Sequence, residues 1–336
     1  MIEGFAFPLV DISVVAPCFN EEESLRAFHR RASAACRDVV GDRYEIILVD
    51  DGSRDATWSI IQDLSALHGD VVGVRMLRNH GHQLAASAGL ATARGGRVML
   101  IDADLQDPPE LLGAMVALMN DGADVVYGQR ISREGETWMK RATASAFYRT
   151  LSRITLVPIP RDTGDFRLME RRIVDILVAM PERHRFLRGM VGWIGGNQVA
   201  LPYERKARFA GTSKYPLAKM LRFAMDAITS FSTFPLRAAA WLGLGTGCLS
   251  FLLLAYTVMR WFQGHSITGW ASVMTAITLF AGTQMLILGV IGEYLGRLYN
   301  DMKGRPLYMI DQVIGQLPIG ATELVGAAAP QTTRKA

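Results

Sequence analysis

The sequence predicts an α/β fold, a mostly parallel sheet with helices on both faces, followed by interfacial helices and a two-helix transmembrane hairpin. Three observations predict it. Short apolar runs alternate with helix-like segments from Asp11 to Gln129. Acidic and turn-forming residues follow several of those runs. Two uncharged stretches, 238–259 and 266–292, lie near the C-terminus. A hydrocarbon core of about 30 Å needs about 20 apolar residues in a helix, and both stretches meet that length.

Residues 11–17 read as a buried strand ending at Pro17, and 21–40 as a helix. Asn20 is expected to cap it, with Glu21, Glu22 and Glu23 in the first turn, where the macrodipole favours acids. A second strand covers 44–49. The turn Asp50-Asp51-Gly52-Ser53-Arg54-Asp55 caps a helix over about 56–68. A third strand (71–77) precedes an Ala-rich segment (83–93) suited to a close-packed helix. A fourth strand (97–101) ends at Asp102-Ala103-Asp104, a helix follows over 108–121, and a fifth strand over 123–129. Ligands of such sheets bind at the carboxyl ends of strands. Residues 17–21, 50–53, 102–106 and Arg130 all fall at those ends. No Gly-x-Gly-x-x-Gly follows a strand, so a dinucleotide-type Rossmann reading has little support.

At 336 residues the prior is two domains. Residues 217–234 carry apolar positions at helical spacing with Lys219, Arg222 and Asp226 on another side, the pattern of interfacial helices or of an ordinary core helix. Residues 306–313 are strand-like, and the Ala-, Gly-, Thr- and Pro-rich 318–336 is expected to be disordered. Residues 1–10 lack the basic start of a signal peptide, which keeps the polar part in the cytoplasm. Cys18, Cys36 and Cys248 form no Cys-x-x-Cys pair, which fits a reducing compartment and argues against structural zinc. His80 and His82 flank Gly81 without a matched third ligand, so neither is read as a zinc ligand.

The net charge is only +4, but its placement is informative. Arg205, Lys206, Arg208, Lys214, Lys219 and Arg222 precede the first apolar stretch, and Arg297, Lys303 and Arg305 come after the second. The connecting turn holds Arg260 and His265. The positive-inside rule puts both ends in the cytoplasm. A basic run beside a span favours anionic lipid or phosphate over a merely solvated face. No aromatic-interleaved basic stripe points to nucleic acid.

Two acidic motifs carry the chemistry. In Asp102-Ala-Asp104-Leu-Gln106, carboxylates at i and i+2 after a strand can share one hard divalent cation that keeps positions for phosphate oxygens. Such a cation neutralises charge on a diphosphate leaving group. An acidic turn is the competing reading. In Asp50-Asp51-Gly52-Ser53, a carboxylate accepting from a base N–H or ribose hydroxyls competes with plain turn chemistry.

Val14-Val-Ala-Pro17-Cys-Phe-Asn20-Glu21-Glu22, Val49-Asp-Asp-Gly-Ser53, Asp102-Ala-Asp-Leu-Gln106 and Asp162-Thr-Gly-Asp-Phe-Arg-Leu168 occur in that order. Together they resemble glycosyltransferase family 2, in the branch that glycosylates polyprenyl phosphates. Dolichyl-phosphate mannose synthases and the bactoprenol glucosyltransferases of O-antigen modification belong to that branch. The resemblance covers residues 10–310 or so and implies a GT-A-type nucleotide-sugar domain. It implies that Pro17, Phe19, Glu21, Val49 and Asp51 hold the uridine; Phe19 stands where Tyr is common, and can stack without the hydroxyl. Asp102 and Ala103 would lie along the ribose and diphosphate. Asp104 and Gln106, with Asp102 as a third ligand, would bind Mg²⁺ or Mn²⁺. Arg130, Arg208 and Lys214 resemble phosphate-gripping residues, assisted by Arg205 and Ser213.

Asp165 is the family's candidate base, with Asp162 as fallback. The acceptor is a phosphate monoester whose second pKa is about 6, so it needs little deprotonation. Asp165 could instead orient substrate with Arg167 as partner, leaving positioning and charge stabilisation to supply the rate. The reaction implied is inverting transfer of a hexosyl group, glucose by best match, from a UDP-sugar to undecaprenyl (polyprenyl) phosphate for cell-envelope glycan modification. N-acetylglucosamine, galactose or GDP-mannose are the alternative donors. A processive polysaccharide synthase is disfavoured, because 185–193 lacks Gln-x-x-Arg-Trp and two spans are too few for a pore. A membrane scaffold is disfavoured by the intact Asp and Arg set. The resulting domain plan is a cytoplasmic catalytic domain (1–210), juxtamembrane helices (211–237), hairpin (238–296), cytoplasmic tail with a strand (297–317) and disordered end (318–336). It implies a multi-pass protein of the bacterial inner membrane with both termini cytoplasmic. It also implies a homo-oligomer, a tetramer being one form the family suggests.

Overall fold

The computed structural model describes residues 10–131, 163–183, 185–204, 234–263 and 269–315. Strands β1 (Ile12–Cys18) and β2 (Tyr44–Asp50) are buried at every position. Parallel strands covered on both faces read as continuous apolar runs, which is why both were visible in the sequence. They are joined by β3 (Val71–Met76), β4 (Arg97–Leu100), β5 (Val125–Arg130), β6 (Thr163–Glu170), β7 (Gln198–Tyr203) and β8 (Ile310–Ile314). The sheet order is β7-β5-β6-β4-β1-β2-β3-β8.

Direction matters more than order here. β1, β2, β3 and β4 run parallel. β6 is antiparallel to β4 and to β5, so β5 points the same way as β4. The carboxyl ends of β1, β2, β4 and β5 therefore share one sheet edge with the first residues of β6. That arrangement puts Thr163, Gly164 and Asp165 beside Asp102, because Leu100 pairs with Arg167 across β4 and β6. The strand-like segment near residue 310 is β8, antiparallel to β3.

Helices α1 (Leu25–Val40), α2 (Thr57–Leu67), α3 (His82–Thr92) and α4 (Leu112–Asn120) connect the parallel strands. The helix expected over 108–121 opens with a 3-10 turn at Pro109–Leu111, where the missing Pro N–H costs no helical bond. The expected start of α1 needs correction. It begins at Leu25, and Asn20 does not cap it; Asn20 has a φ of 57°. Its Oδ1 accepts from the Arg54 N–H at 2.9 Å, while its own N–H donates to Ser53 Oγ at 3.0 Å. Glu21 N–H donates to Thr57 Oγ1, and Ala56 N–H to Glu22 Oε2, both at 2.9 Å. Residues 20–22 are spent cross-linking the loops after β1 and β2, and that joins the two loops that edge the site.

Helix α3 packs against β1 and β2 at Gly89. A Cβ there would lie 2.4 Å from Val15 Cγ1 and 2.9 Å from Val49 Cγ2, both fully buried. β-Branched side chains cannot swing aside at χ1. Gly89→Ala should cost about 1–3 kcal/mol, read as a lower thermal midpoint; an unchanged midpoint would show that α3 has room to shift.

After β6 come α5 (Arg171–Ala179) and α6 (Leu187–Ile194), then β7. A second unit holds the long helices α7 (Phe234–Phe262) and α8 (Trp270–Met302). Within them an 18-residue stretch of Phe234–Arg260 has a mean hydropathy of 1.8, and one of Thr275–Met302 a mean of 1.7. Both are long and apolar enough to cross a membrane, and Phe251, Leu254 and Leu286 are exposed along them. In α7, hydroxyls are satisfied within the helix: Thr246 Oγ1 donates to Leu242 O, Ser250 Oγ to Thr246 O and Thr257 Oγ1 to Leu253 O. A helix in hydrocarbon needs that internal satisfaction.

Candidate active site

Five segments meet at the carboxyl edge of the sheet. At the end of β2, the buried Asp51 accepts from the backbone N–H groups of His80 (2.7 Å) and Gly81 (2.9 Å), one on each carboxylate oxygen. Burial still pushes its carboxyl up. This clamp fixes the entry to α3 and so places His82, its first residue. Asp50 Oδ1 accepts from Ser53 N–H at 3.0 Å. Pro17 and Phe19 close β1, with Phe19 44 % exposed at the rim. Glu21 Oε2 accepts from Ser24 Oγ at 2.8 Å. The Val49 side chain is committed to packing beneath α3.

The loop after β4 carries four of the candidates. Asp104 is buried, and its Oδ1 accepts from Gln106 N–H at 3.1 Å. Leu105 between them has φ 61°, a left-handed conformation that costs a non-glycine residue of order 1–3 kcal/mol and so marks a loop held in shape by its surroundings. Ala103 is buried. Asp102 Oδ1 lies 3.4 Å from His82 Nε2 and has no hydrogen-bond partner among the described residues. Burial, with Asp165, Asp107 and Asp104 nearby, raises its carboxyl to about 6, against the pull of His82. Asp107 is fully buried, accepts a hydrogen bond from Tyr203 OH and stands 3.5 Å from Arg130 Nη2. Arg130 fits there because residue 164 is glycine: a Cβ would sit 2.5 Å from Arg130 Nη2.

Asp165, at the start of β6, is buried and engaged on both oxygens. Oδ1 accepts from Arg188 Nε at 2.8 Å. Oδ2 accepts from Gln83 Nε2 at 2.7 Å and lies 3.2 Å from His82 Nε2. Burial opposes its ionisation, but Arg188 and His82 hold it well below the usual carboxylate range. The same carboxylates raise His82 to about 9 against its own desolvation. Arg167, also buried, donates to the carbonyls of Asp165 (3.3 Å) and Gly164 (3.2 Å). Burial lowers its guanidinium to about 10. Gln83 Oε1 accepts from Leu187 N–H at 2.9 Å and Arg188 Nη1 donates to Thr163 O at 3.0 Å, tying α6 to α3 and β6.

The structure thus gathers Pro17, Phe19, Glu21, Asp51, Asp102, Ala103, Asp104, Gln106, Arg130 and Asp165 along one edge. Asp162, Arg205, Arg208, Ser213 and Lys214 lie outside the described residues. Sequence reasoning missed His82, Gln83, Asp107, Arg188 and Tyr203. A histidine directly after a strand-loop glycine, and a second arginine three positions after Arg185, were the available signals.

A divalent cation fits the acidic loop. Asp102 offers an oxygen without a hydrogen bond, Asp104 is adjacent, and the crowding that raises Asp102 is what a cation would relieve. Hard oxygen donors suit Mg²⁺ or Mn²⁺.

Residues 13–177 match the family model described as glycosyl transferase family 2. The Bacillus subtilis protein called uncharacterized glycosyltransferase YkcC is 43 % identical over 309 residues, covering 91 % of this chain and 95 % of that one. The SfII prophage-derived bactoprenol glucosyl transferase of Shigella flexneri is 39 % identical over 300 residues, 89 % of this chain and 97 % of that one. Among solved structures, Staphylococcus aureus TarS 1–349 in complex with UDP-GlcNAc matches with a TM-score of 0.45 and 18 % identity over 66 % of each chain.

Proposed function

Since the chain belongs to glycosyltransferase family 2, we propose that it transfers a hexosyl group, glucose by best match, from a UDP-sugar to undecaprenyl (polyprenyl) phosphate. The observation that carries this is likeness along nearly the whole length of a bactoprenol glucosyl transferase. That match leaves too few residues outside it to omit α7 and α8, which span 29 and 33 residues. A soluble nucleotide-sugar enzyme has no need of such helices; one acting on a lipid phosphate does.

On this reading Pro17, Phe19, Glu21, Val49 and Asp51 edge the uridine site, and Asp102 and Ala103 lie along the ribose and diphosphate. Asp102, Asp104 and Gln106 hold Mg²⁺ or Mn²⁺. When bound, the cation neutralises negative charge developing on the departing diphosphate. Arg130, with Arg205, Arg208, Ser213 and Lys214, binds phosphate oxygens. A phosphate monoester is largely dianionic at neutral pH and attacks without a strong base. Asp165, buried and occupied on both oxygens, suits a positioning role, and Asp162 is the remaining candidate for any proton transfer. A single displacement inverts the anomeric centre. The apolar helices anchor the chain in the inner membrane, the flanking basic residues keep both termini in the cytoplasm, and the working form is a homo-oligomer.

The test uses the full chain in detergent with undecaprenyl phosphate, Mg²⁺ and labelled UDP-glucose, UDP-N-acetylglucosamine, UDP-galactose and GDP-mannose. Label extractable into organic solvent is expected from UDP-glucose alone. EDTA should reduce it to background, and excess Mg²⁺ should restore it. A different productive donor would correct the sugar; no lipid-linked label from any donor would overturn the reaction.

A further inference from the structure

The opposite edge of the sheet, at the amino ends of β2 and β3, holds a second cluster of polar side chains that the active site does not use. His29 lies on α1, His68 follows the last residue of α2, and Asp70 leads directly into β3. An imidazole nitrogen from each histidine and a carboxylate oxygen of Asp70 lie within 4.8 Å of one another. His29 is 3 % exposed and shares its stretch of helix with Leu25, Phe28 and Ala32, all fully buried, so its ring is fixed in the core. The connection from α2 to β3 is fixed as well. His68 N–H donates to Leu64 O at 2.9 Å, Val71 N–H donates to His68 O at 3.2 Å, and Ile46 N–H donates to Asp70 O at 2.8 Å. The three side chains therefore meet on a rigid frame.

Two of the three donor atoms lack a hydrogen bond. His29 Nε2 and Asp70 Oδ2 are buried, stand 3.4 Å apart and are hydrogen-bonded neither to each other nor to any other described residue. Burying polar atoms unpaired is costly, and such atoms call for a missing partner. The spacing fits one. Two ligands each about 2.0–2.1 Å from a tetrahedral zinc stand roughly 3.4 Å apart. The His68 ring lies against that of His29, with centroids 4.5 Å apart and a tilt of 41° rather than a flat stack.

We propose that His29, His68 and Asp70 bind one Zn²⁺ that fastens α1 and the end of α2 to the start of β3. Imidazole nitrogens favour zinc, whereas the all-oxygen loop at the other edge of the sheet suits Mg²⁺. Two histidines and a carboxylate are three of four tetrahedral ligands; the Asp70 side chain is 15 % exposed, which leaves the fourth position to water. The cysteine spacing that argues against a thiolate zinc site does not bear on this one, which uses no sulfur. The role is structural, because the transfer chemistry belongs to the carboxyl edge.

The test uses the full chain in detergent with Mg²⁺ in large excess, so that the acidic loop is filled. Zinc binding and thermal midpoint are measured for wild type, His68→Ala, Asp70→Asn and Asp104→Ala. Wild type and Asp104→Ala should take up about one zinc per chain. His68→Ala and Asp70→Asn should bind it about a hundredfold more weakly, at least the cost of losing an outer-shell partner. Zinc at about a hundred times its Kd should raise the wild-type midpoint by roughly 5–10 °C, and EDTA should reverse the rise. The two site variants should melt near EDTA-treated wild type with or without zinc, which also shows that they fold. Should one of them melt far below that, the zinc affinity of the other decides. A wild type that takes up no zinc, or site variants that bind it as wild type does, overturns the site. So does zinc lost from Asp104→Ala but kept by the site variants, since it then belongs to the acidic loop. None of these readings uses turnover, so the site is decided apart from the transfer reaction.

Discussion

Asp104→Ala should leave less than about a tenth of wild-type transfer, even at saturating Mg²⁺. Removing one carboxylate from a cation that stabilises a diphosphate leaving group withdraws several kcal/mol of transition-state charge stabilisation, and each 1.4 kcal/mol is tenfold in rate. The substitution has a second effect in this loop. Asp104 Oδ1 holds the Gln106 N–H at 3.1 Å across Leu105 with its φ of 61°. Losing that bond frees a strained turn whose other end carries a candidate ligand. Asp104→Asn separates the two contributions, since its amide oxygen keeps the loop bond but loses the charge. Equal collapse of both variants assigns the effect to the cation. Survival of the Asn variant assigns it to loop shape, and transfer above a tenth in the Ala variant sinks the metal assignment. The assay is lipid-extractable label against Mg²⁺ concentration.

The loop was legible in the sequence because parallel buried strands announce themselves. β1, β2 and β4 are apolar runs, and each leads into a short acidic or turn-forming segment that must sit at the strand's carboxyl end. Local reasoning failed where the partner is distant in the chain. Asn20 is a good helix cap by propensity, yet its side-chain oxygen is taken by Arg54, and no neighbour in sequence reveals that. His82 read as an ordinary loop histidine because its two carboxylates come from β4 and β6, adjacent only through an antiparallel pairing the alternation of strands and helices did not forecast. The stretch from β6 to β7 went unassigned for the same reason. Asp165 was singled out by its motif, but its role depends on Gln83, His82 and Arg188, which no spacing rule connects to it.

That dependence gives the largest expected effect on stability. Asp165→Ala should lower it by about 3–5 kcal/mol, the usual result of removing one partner from a buried ion pair. Arg167 would then keep only carbonyl partners, Arg188 would lose its Nε acceptor, and the Gln83 amide nitrogen would face a gap. The loss reflects which state is stabilised. Asp165 is ionised well below the ordinary carboxylate range when folded, so its contribution is fully present at neutral pH and fades only on strong acidification. Asp165→Asn keeps an oxygen for Arg188 or Gln83 and should fall between wild type and Ala in thermal midpoint. The comparison also decides what the residue does in the reaction. A general base would lose transfer equally in Asn and in Ala, because neither accepts a proton, whatever the difference in their midpoints. A positioning carboxylate loses transfer in step with the midpoint, less in Asn than in Ala, because the side chains it anchors shift with it. The buried carboxylate, saturated on both oxygens by side chains from α3 and α6, is built for the second outcome.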